Sequence, residues 1–169
     1  MKQKNAEESK TTSTRIVLPN DTNTLGNLMG GQLLSWMDIT SAIAAHRHCG
    51  RFVVTASVNN VSFNSPIGLG DIVTIEAKVS RAFTSSMEVF LDVCVDSKST
   101  RQKTKSNEAI YTFVAVDQNG NSIEVPELVP ETTEEKDRYN GALRRKQLSL
   151  ILAGKMKPND ANELKALFF

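Results

Sequence analysis

Asp38 is the one charged residue between Asp21 and Arg47 in a chain of which 23% is charged. It closes the apolar run "NLMGGQLLSWMD" at residues 27–38, which holds two adjacent glycines, Gly30 and Gly31. Burying an unpaired carboxylate is expensive, so this one has partners, is protonated or faces a wet cleft. Two readings follow. Asp38 hydrogen-bonds loop backbone or the polar groups of a neighbouring subunit and is structural, or it is a general base or nucleophile whose behaviour burial tunes.

The glycines bear on that choice. Without Cβ atoms, Gly30 and Gly31 let a ligand approach the backbone where a helix presents its unpaired N–H groups. Such donors, aided by the helix dipole, suit a developing oxyanion. Asp38 lies two helical turns beyond Gly31, on the same side but about 10 Å along the axis at 1.5 Å per residue. One chain therefore holds base and donors too far apart for a single small reacting group. Two such helices lying antiparallel across a dimer interface bring the glycine end of one to the aspartate of the other.

The elements that position these groups are legible in the periodicity. Residues 1–13 are polar and are expected to be disordered. "TRIVLP" reads as a short strand stopped by Pro19, and "NDTNTLGN" as a loop rich in turn formers. From Gly31 to about His48 the apolar residues surround most of a helix, which marks it as buried. Gly50 is its expected cap. A period of two follows in "FVVTASVNNVSFN", where the "NN" shifts the phase and predicts a bulge or bend. "DIVTIEAKVSR", "SMEVFLDVCVDS" and "NEAIYTFVAVD" repeat the alternation with short connections, so the four strands are expected to be mostly antiparallel. A helix apolar on most sides needs a sheet that curls around it. The predicted class is α+β with the hotdog fold, residues 14–130, followed by a helical extension over 131–169. In that extension Glu134, Glu135 and Asp137 precede Arg144, Arg145 and Lys146, the charge order of a surface helix.

Composition narrows the function. Twenty Lys plus Arg against 19 Asp plus Glu give a net charge of +1, which argues against nucleic acid or an anionic membrane as partner. No apolar stretch is long enough to insert in a bilayer. The N-terminal "MKQKNAEESKTTST" has no apolar h-region, and Cys49 and Cys94 lack metal or redox spacing, so a cytoplasmic protein with reduced cysteines is expected.

"DTNTLGNLMGGQLLSWMD", "VTASVNNVSFNSPIGLGDIV" and "TSSMEV" together resemble the acyl-CoA thioesterases of the hotdog superfamily, in particular the broad-range acyl-CoA hydrolases, over about residues 15–130. The resemblance implies hydrolysis of acyl-CoA to free acid and coenzyme A. It implies Asp38 as the catalytic carboxylate, Asn27 of the partner subunit as a polar catalytic group, and the Gly31 region as oxyanion donor. Gly30, Thr84, Ser85, Ser86 and Arg81 are the implied substrate-binding residues. No metal or cofactor is required, because a thiolate leaves well. The implied assembly is a homo-oligomer, dimers joined edge to edge in a continuous sheet and three dimers in a hexamer. The family often carries a glycine and a basic residue where this chain has Phe83 and Thr84. Charge for the coenzyme's phosphates then comes from Arg81, or from Arg144 and Arg145.

Other candidates read more simply. His46 and His48, two apart on a helix, point in different directions and suit helix-end capping. None of Ser57, Ser85 and Ser86 sits in a G-x-S-x-G elbow. Trp36 reads as core or interface, and "RRK" as a solvated helix face. Two further functions stay open. A hotdog protein that binds acyl-CoA as a regulatory ligand is opposed by the presence of both Asn27 and Asp38. A hotdog dehydratase is opposed by the absence of histidine from the catalytic stretch.

Overall fold

The computed structural model describes residues 2–59 and 61–169. Helix α1, Gly30–Cys49, ends where Gly50 turns left-handed, with φ of 65°, and returns its N–H to the His46 carbonyl. Five strands curl around it: β2 (Thr11–Ile16), β3 (Phe52–Asn59), β4 (Ile72–Ala82), β5 (Ser86–Asp96) and β6 (Lys103–Val116). Every pairing in this sheet is antiparallel. The order is β2-β4-β5-β6-β3, so β4 to β6 form the expected meander while β3 crosses to the far edge to pair with β6. Alternate residues from Val73 to Val79 and from Met87 to Val95 face inward and are buried against Leu33, Met37, Ala44 and Ala45 of α1. This is the predicted hotdog arrangement of central helix and curved sheet.

Two expectations need correction. The first is the disordered N-terminus. Lys4–Asn5 form a short strand, β1, parallel to β7 at Leu128–Val129, and a single helical turn follows at Ala6–Ser9. Little apolar surface holds this strap down; hydrogen bonds do. Ser9 Oγ donates to the Ala6 carbonyl at 2.7 Å and accepts the Val79 N–H at 2.9 Å. Lys4 Nζ reaches the Arg47 carbonyl at 3.0 Å, and Ala6 is buried beneath.

The second is the helix as buried over most of its circumference. In the single chain, Ile39 and Ile43 are 48% and 43% exposed. They share that exposure with Phe52, Val54 and Val58 of β3, whose outer edge pairs with no strand among the described residues. The bulge or bend expected at "NN" reaches Asn60, which lies outside the described residues; a register shift is observed between Thr55 and Ser57.

The extension is docked on the outer face of the sheet. Helix α2, Thr133–Leu152, opens with a capping box of Thr132 and Glu135; a short α3, Asn162–Lys165, follows. Its basic residues Arg138 and Arg145 are not a solvated face. Arg145 grips Glu88, which is 4% exposed, with Nε at 2.9 Å and Nη2 at 2.7 Å, and Ser80 Oγ adds a hydrogen bond of 2.6 Å to the same carboxylate. Arg138 bonds Asp92 at 2.9 Å while stacking on Phe90, and Lys78 bonds Glu135 at 3.1 Å. Burial opposes charge on Asp92 and Glu135, but hydrogen-bond donors outweigh it and lower both carboxyls. A Cβ on Gly141 would come within 2.8 Å of Arg145 Nη1, so the glycine clears the path of that guanidinium.

Candidate active site

Asp38 occupies the wall of an open groove and is half-buried, not deep in the helix packing. Its Oδ1 accepts a hydrogen bond of 2.7 Å from Thr55 Oγ1. The bulge makes this contact possible. Thr55 pairs with Phe113 and Val58 with Tyr111, and those two aromatic residues share one face of β6, so the extra residue at Ala56 turns Thr55 and Val58 to the same helix-facing side. The groove has a volume of about 860 Å³ and is lined by Gly31, Leu34, Ser35, Asp38, Val58 and Tyr111, among others. Its walls are otherwise largely apolar, which suits an alkyl chain beside one carboxylate.

Tyr111 forms the floor. Its hydroxyl donates to the Leu34 carbonyl at 3.0 Å, the carbonyl that in a regular helix also receives the N–H of Asp38. Burial first, and the Asp38 charge second, push its phenol up to about 12. Tyr111 stays a neutral donor across the useful pH range.

At the start of α1, Met29 offers no capping side chain, so the first N–H groups of the helix, at Gly30 and Gly31, are left without intrahelical partners. The two glycines differ. A Cβ on Gly30 would stand 3.2 Å from the Phe63 ring, whereas one on Gly31 would meet nothing within 4 Å. Phe63 lines both the Asp38 groove and a second cavity of about 390 Å³ that holds Gly30, Asn23 and Asn27.

Of the site residues singled out by sequence, the groove therefore brings together only Gly31 and Asp38, while Gly30 and Asn27 share the second cavity. Asn27 faces the second cavity, and its backbone serves the loop: its N–H goes to Asn23 Oδ1 at 3.2 Å and its carbonyl receives the Asn23 N–H at 2.8 Å. Thr84 lines a third cavity of about 970 Å³ with Phe83 and Tyr139. Ser85 and Ser86 contribute carbonyls to the Ala115 and Phe83 N–H groups. Arg81 stacks on Tyr139, its Cζ 4.1 Å from the ring centroid. The two histidines stand apart from the groove, His46 Nδ1 at 2.8 Å from the Arg51 carbonyl and His48 Nε2 at 2.8 Å from the Pro126 carbonyl. Among the described residues no cluster of metal-ligating side chains occurs, and no helix is long and apolar enough to cross a membrane.

Sequence reasoning singled out neither Thr55, which bonds Asp38, nor Asn23, which lines the second cavity. Asn23 Oδ1 is occupied by the Leu25 and Asn27 N–H groups, which leaves its Nδ2 without a hydrogen-bond partner among the described residues. A threonine in a strand of alternating residues carries no signal of its own; only the bulge aims it at Asp38.

A sequence model of the thioesterase superfamily matches residues 25–100. A Bacillus subtilis (strain 168) protein described as an uncharacterized acyl-CoA thioester hydrolase is 44% identical over 82% of this chain and 81% of its own. An apo-hexameric acyl-CoA thioesterase superposes with a TM-score of 0.86 at 38% identity, covering 90% of this chain and 98% of that one. The Staphylococcus aureus acyl-CoA hydrolase, solved with butyryl coenzyme A, coenzyme A and coenzyme A disulfide, gives a TM-score of 0.82 at 37% identity over 91% of this chain and 96% of its own. That enzyme has also been solved as three alanine variants, of an asparagine, an aspartate 15 residues later and a threonine 17 residues after that.

Proposed function

Because the chain belongs to the thioesterase superfamily, we propose that it hydrolyses acyl-CoA thioesters to a carboxylic acid and coenzyme A, with Asp38 as the catalytic carboxylate. The observation that carries this reading is the hydrogen bond from Thr55 to Asp38 at the wall of an open groove. In this chain Asn23, Asp38 and Thr55 have the separations of the asparagine, aspartate and threonine replaced in the S. aureus enzyme. Asn27 lies four residues nearer to Asp38, so the spacing favours Asn23 as the catalytic amide, with Asn27 holding its loop.

Thr55 fixes one carboxylate oxygen and leaves the other free to take a proton from water. Hydroxide then adds to the thioester carbonyl, and the oxyanion takes hydrogen bonds from the open N–H groups at the start of α1 and from the amide of Asn23. Collapse expels the coenzyme thiolate, which is a good leaving group. Direct attack by Asp38, giving an acyl-enzyme anhydride that water opens, uses the same groups. The distance along the helix between Gly31 and Asp38 supports a site shared by two protomers, the glycine end of one helix facing the aspartate of the other. The unpaired edge of β3 and its exposed Phe52, Val54 and Val58 support an edge-to-edge dimer, and the hexameric relative supports three such dimers.

The test is release of free thiol from a panel of acyl-CoAs of increasing chain length by the wild type and Asp38→Asn. Hydrolysis is expected from the wild type, with kcat lower by about two orders of magnitude or more in the variant. Near-normal turnover in Asp38→Asn overturns the assignment; binding without thiol release by either protein makes the chain a regulatory acyl-CoA binder.

A further inference from the structure

The ring of Phe63 stands where the Asp38 groove and the second cavity meet, and it has no task in the chemistry. It belongs to the connection between β3 and β4, and its tip faces the start of α1. A Cβ on Gly30 would meet its Cζ at 3.2 Å, Cε2 at 3.4 Å and Cε1 at 3.5 Å. The groove on one side of the ring, about 860 Å³, holds Gly31 and Asp38; the cavity on the other, about 390 Å³, holds Gly30 and Asn23. The boundary between the two spaces thus falls between two adjacent glycines. Both spaces offer apolar lining, Leu34, Val58 and Tyr111 in the groove and Leu28, Leu33 and Ile67 beyond the ring.

The connection that carries the ring is held on both sides of it. Asn107, buried on β6, donates from Nδ2 to the Ser62 carbonyl at 3.1 Å, and the Ile67 carbonyl accepts the Leu28 N–H at 2.7 Å. Gly68, the next residue, forms a bridge with Asn27 and gives its N–H to Asp71 Oδ2 at 2.8 Å. Phe63 itself is 56% exposed and lies outside the hydrophobic core. Its backbone is therefore fixed by neighbours that do not need the ring, while the ring faces open space that a ligand can fill.

We propose that Phe63 sets the longest acyl chain this protein accepts, as the end wall of the Asp38 groove. The inference rests on the reading of the chain as an acyl-CoA thioesterase and adds the substrate range to it. With the carbonyl beside Asp38, the alkyl chain runs along Leu34, Val58 and Tyr111, and each methylene buried there improves binding about fourfold. The gain ends where the chain meets the ring, because the ring is backed by the start of α1 and the next methylene has no room. Beyond it lies the cavity of Asn23. In the shared site proposed above, that cavity belongs to the second catalytic centre of the dimer, so a chain that passed the ring would displace the neighbouring amide. The wall keeps the acyl chain of one centre out of the other.

The experiment measures kcat/KM for straight-chain acyl-CoAs from acetyl to palmitoyl with wild type, Phe63→Ala and Phe63→Trp. In parallel it measures the calorimetric Kd of the matching S-alkyl-CoA thioethers, which bind without being cleaved. In the wild type, kcat/KM should rise about fourfold per added methylene and then turn down at one chain length. Phe63→Ala is expected to move that turning point to a longer chain, favouring the first chain beyond the wild-type limit at least about tenfold relative to shorter ones. Phe63→Trp should move it to a shorter chain. Damage to the fold lowers efficiency at every chain length alike and leaves the turning point in place, so the shape of the profile is read and not its height. One turning point common to all three proteins overturns the proposal, as does a wild-type profile that climbs to palmitoyl without turning. If the wild type cleaves no thioester, the enzymatic reading fails while the thioether affinities still decide the wall. A chain-length limit that shifts in opposite directions in Phe63→Ala and Phe63→Trp sustains it, and identical limits overturn it.

Discussion

Replacing Thr55 with valine removes one hydrogen bond and little else. The side chains are nearly isosteric, Thr55 is exposed on an edge strand of the single chain, and valine suits a strand. Folding should therefore be unaffected, and Tm serves as the control. What is lost is a 2.7 Å bond to the Asp38 carboxylate. Hydrogen bonds to charged groups contribute about 1.5–3 kcal/mol, and solvent access to this pair argues for the lower end, about 1.5 kcal/mol. If the bond aims Asp38 at the reacting carbon, that energy appears in the transition state as a decrease in kcat of about tenfold. Initial rates of thiol release from butyryl-CoA, at saturating and limiting substrate, separate kcat from KM. Thr55→Ser retains the hydroxyl and should keep kcat within about threefold of wild type. The reasoning fails if Thr55→Val turns over within about twofold of wild type, or if Thr55→Ser falls as far as the valine variant.

Two stability predictions follow from the packing of α1 and α2. Arg145→Ala leaves the Glu88 carboxylate buried with only Ser80 as a hydrogen-bond donor and should cost about 3–5 kcal/mol, read by urea denaturation at fixed protein concentration. The joint change Glu88→Leu with Arg145→Met should recover most of that loss; a double variant as unstable as the sum of its singles would show that the pair is not the reason. Burial pushes His48 below its ordinary value of 6.5, against the pull of the Pro126 carbonyl. The unfolded chain then takes up the proton first, so this contribution to stability is complete above about pH 6.5 and is lost as pH falls toward the folded-state value. Denaturation at about pH 7.5 and about pH 5.5 should show a difference that shrinks in His48→Gln, and equal differences in the two proteins would exclude His48 as its source.

The curved sheet and its helix were legible because burial on one face imposes a period on the sequence. Val73 to Val79 and Met87 to Val95 alternate without a break and were read with the right faces. Where a segment is held by polar atoms, the same logic misleads: the strap at residues 4–9 has a single buried alanine, so composition spoke for disorder while Ser9 and Lys4 tied it down. The α2 surface was misread in the opposite sense. Its i, i+3 and i, i+7 charges looked solvated because sequence cannot show Glu88 and Asp92 waiting on the outer face of β5. Asp38 was legible as an isolated carboxylate, yet its partner depends on a register shift 17 residues away in sequence. The exposed isoleucines of α1 mark what a single chain leaves unfilled.

Gly30 and Gly31 are adjacent, yet a mutagenesis experiment would treat them as different kinds of position. At Gly30 a methyl group runs into Phe63, 3.2 Å away, so an alanine there disturbs the wall between two cavities of the same chain. At Gly31 the chain itself raises no objection, since an added Cβ has no neighbour within 4 Å, and alanine is the better helix former by about 1 kcal/mol. An alanine at Gly31 that leaves the isolated protomer more stable but silences turnover would be sensing an occupant from outside the chain, substrate or partner. The second glycine thus works as a reporter: it separates what this fold needs in order to stand from what it needs in order to receive.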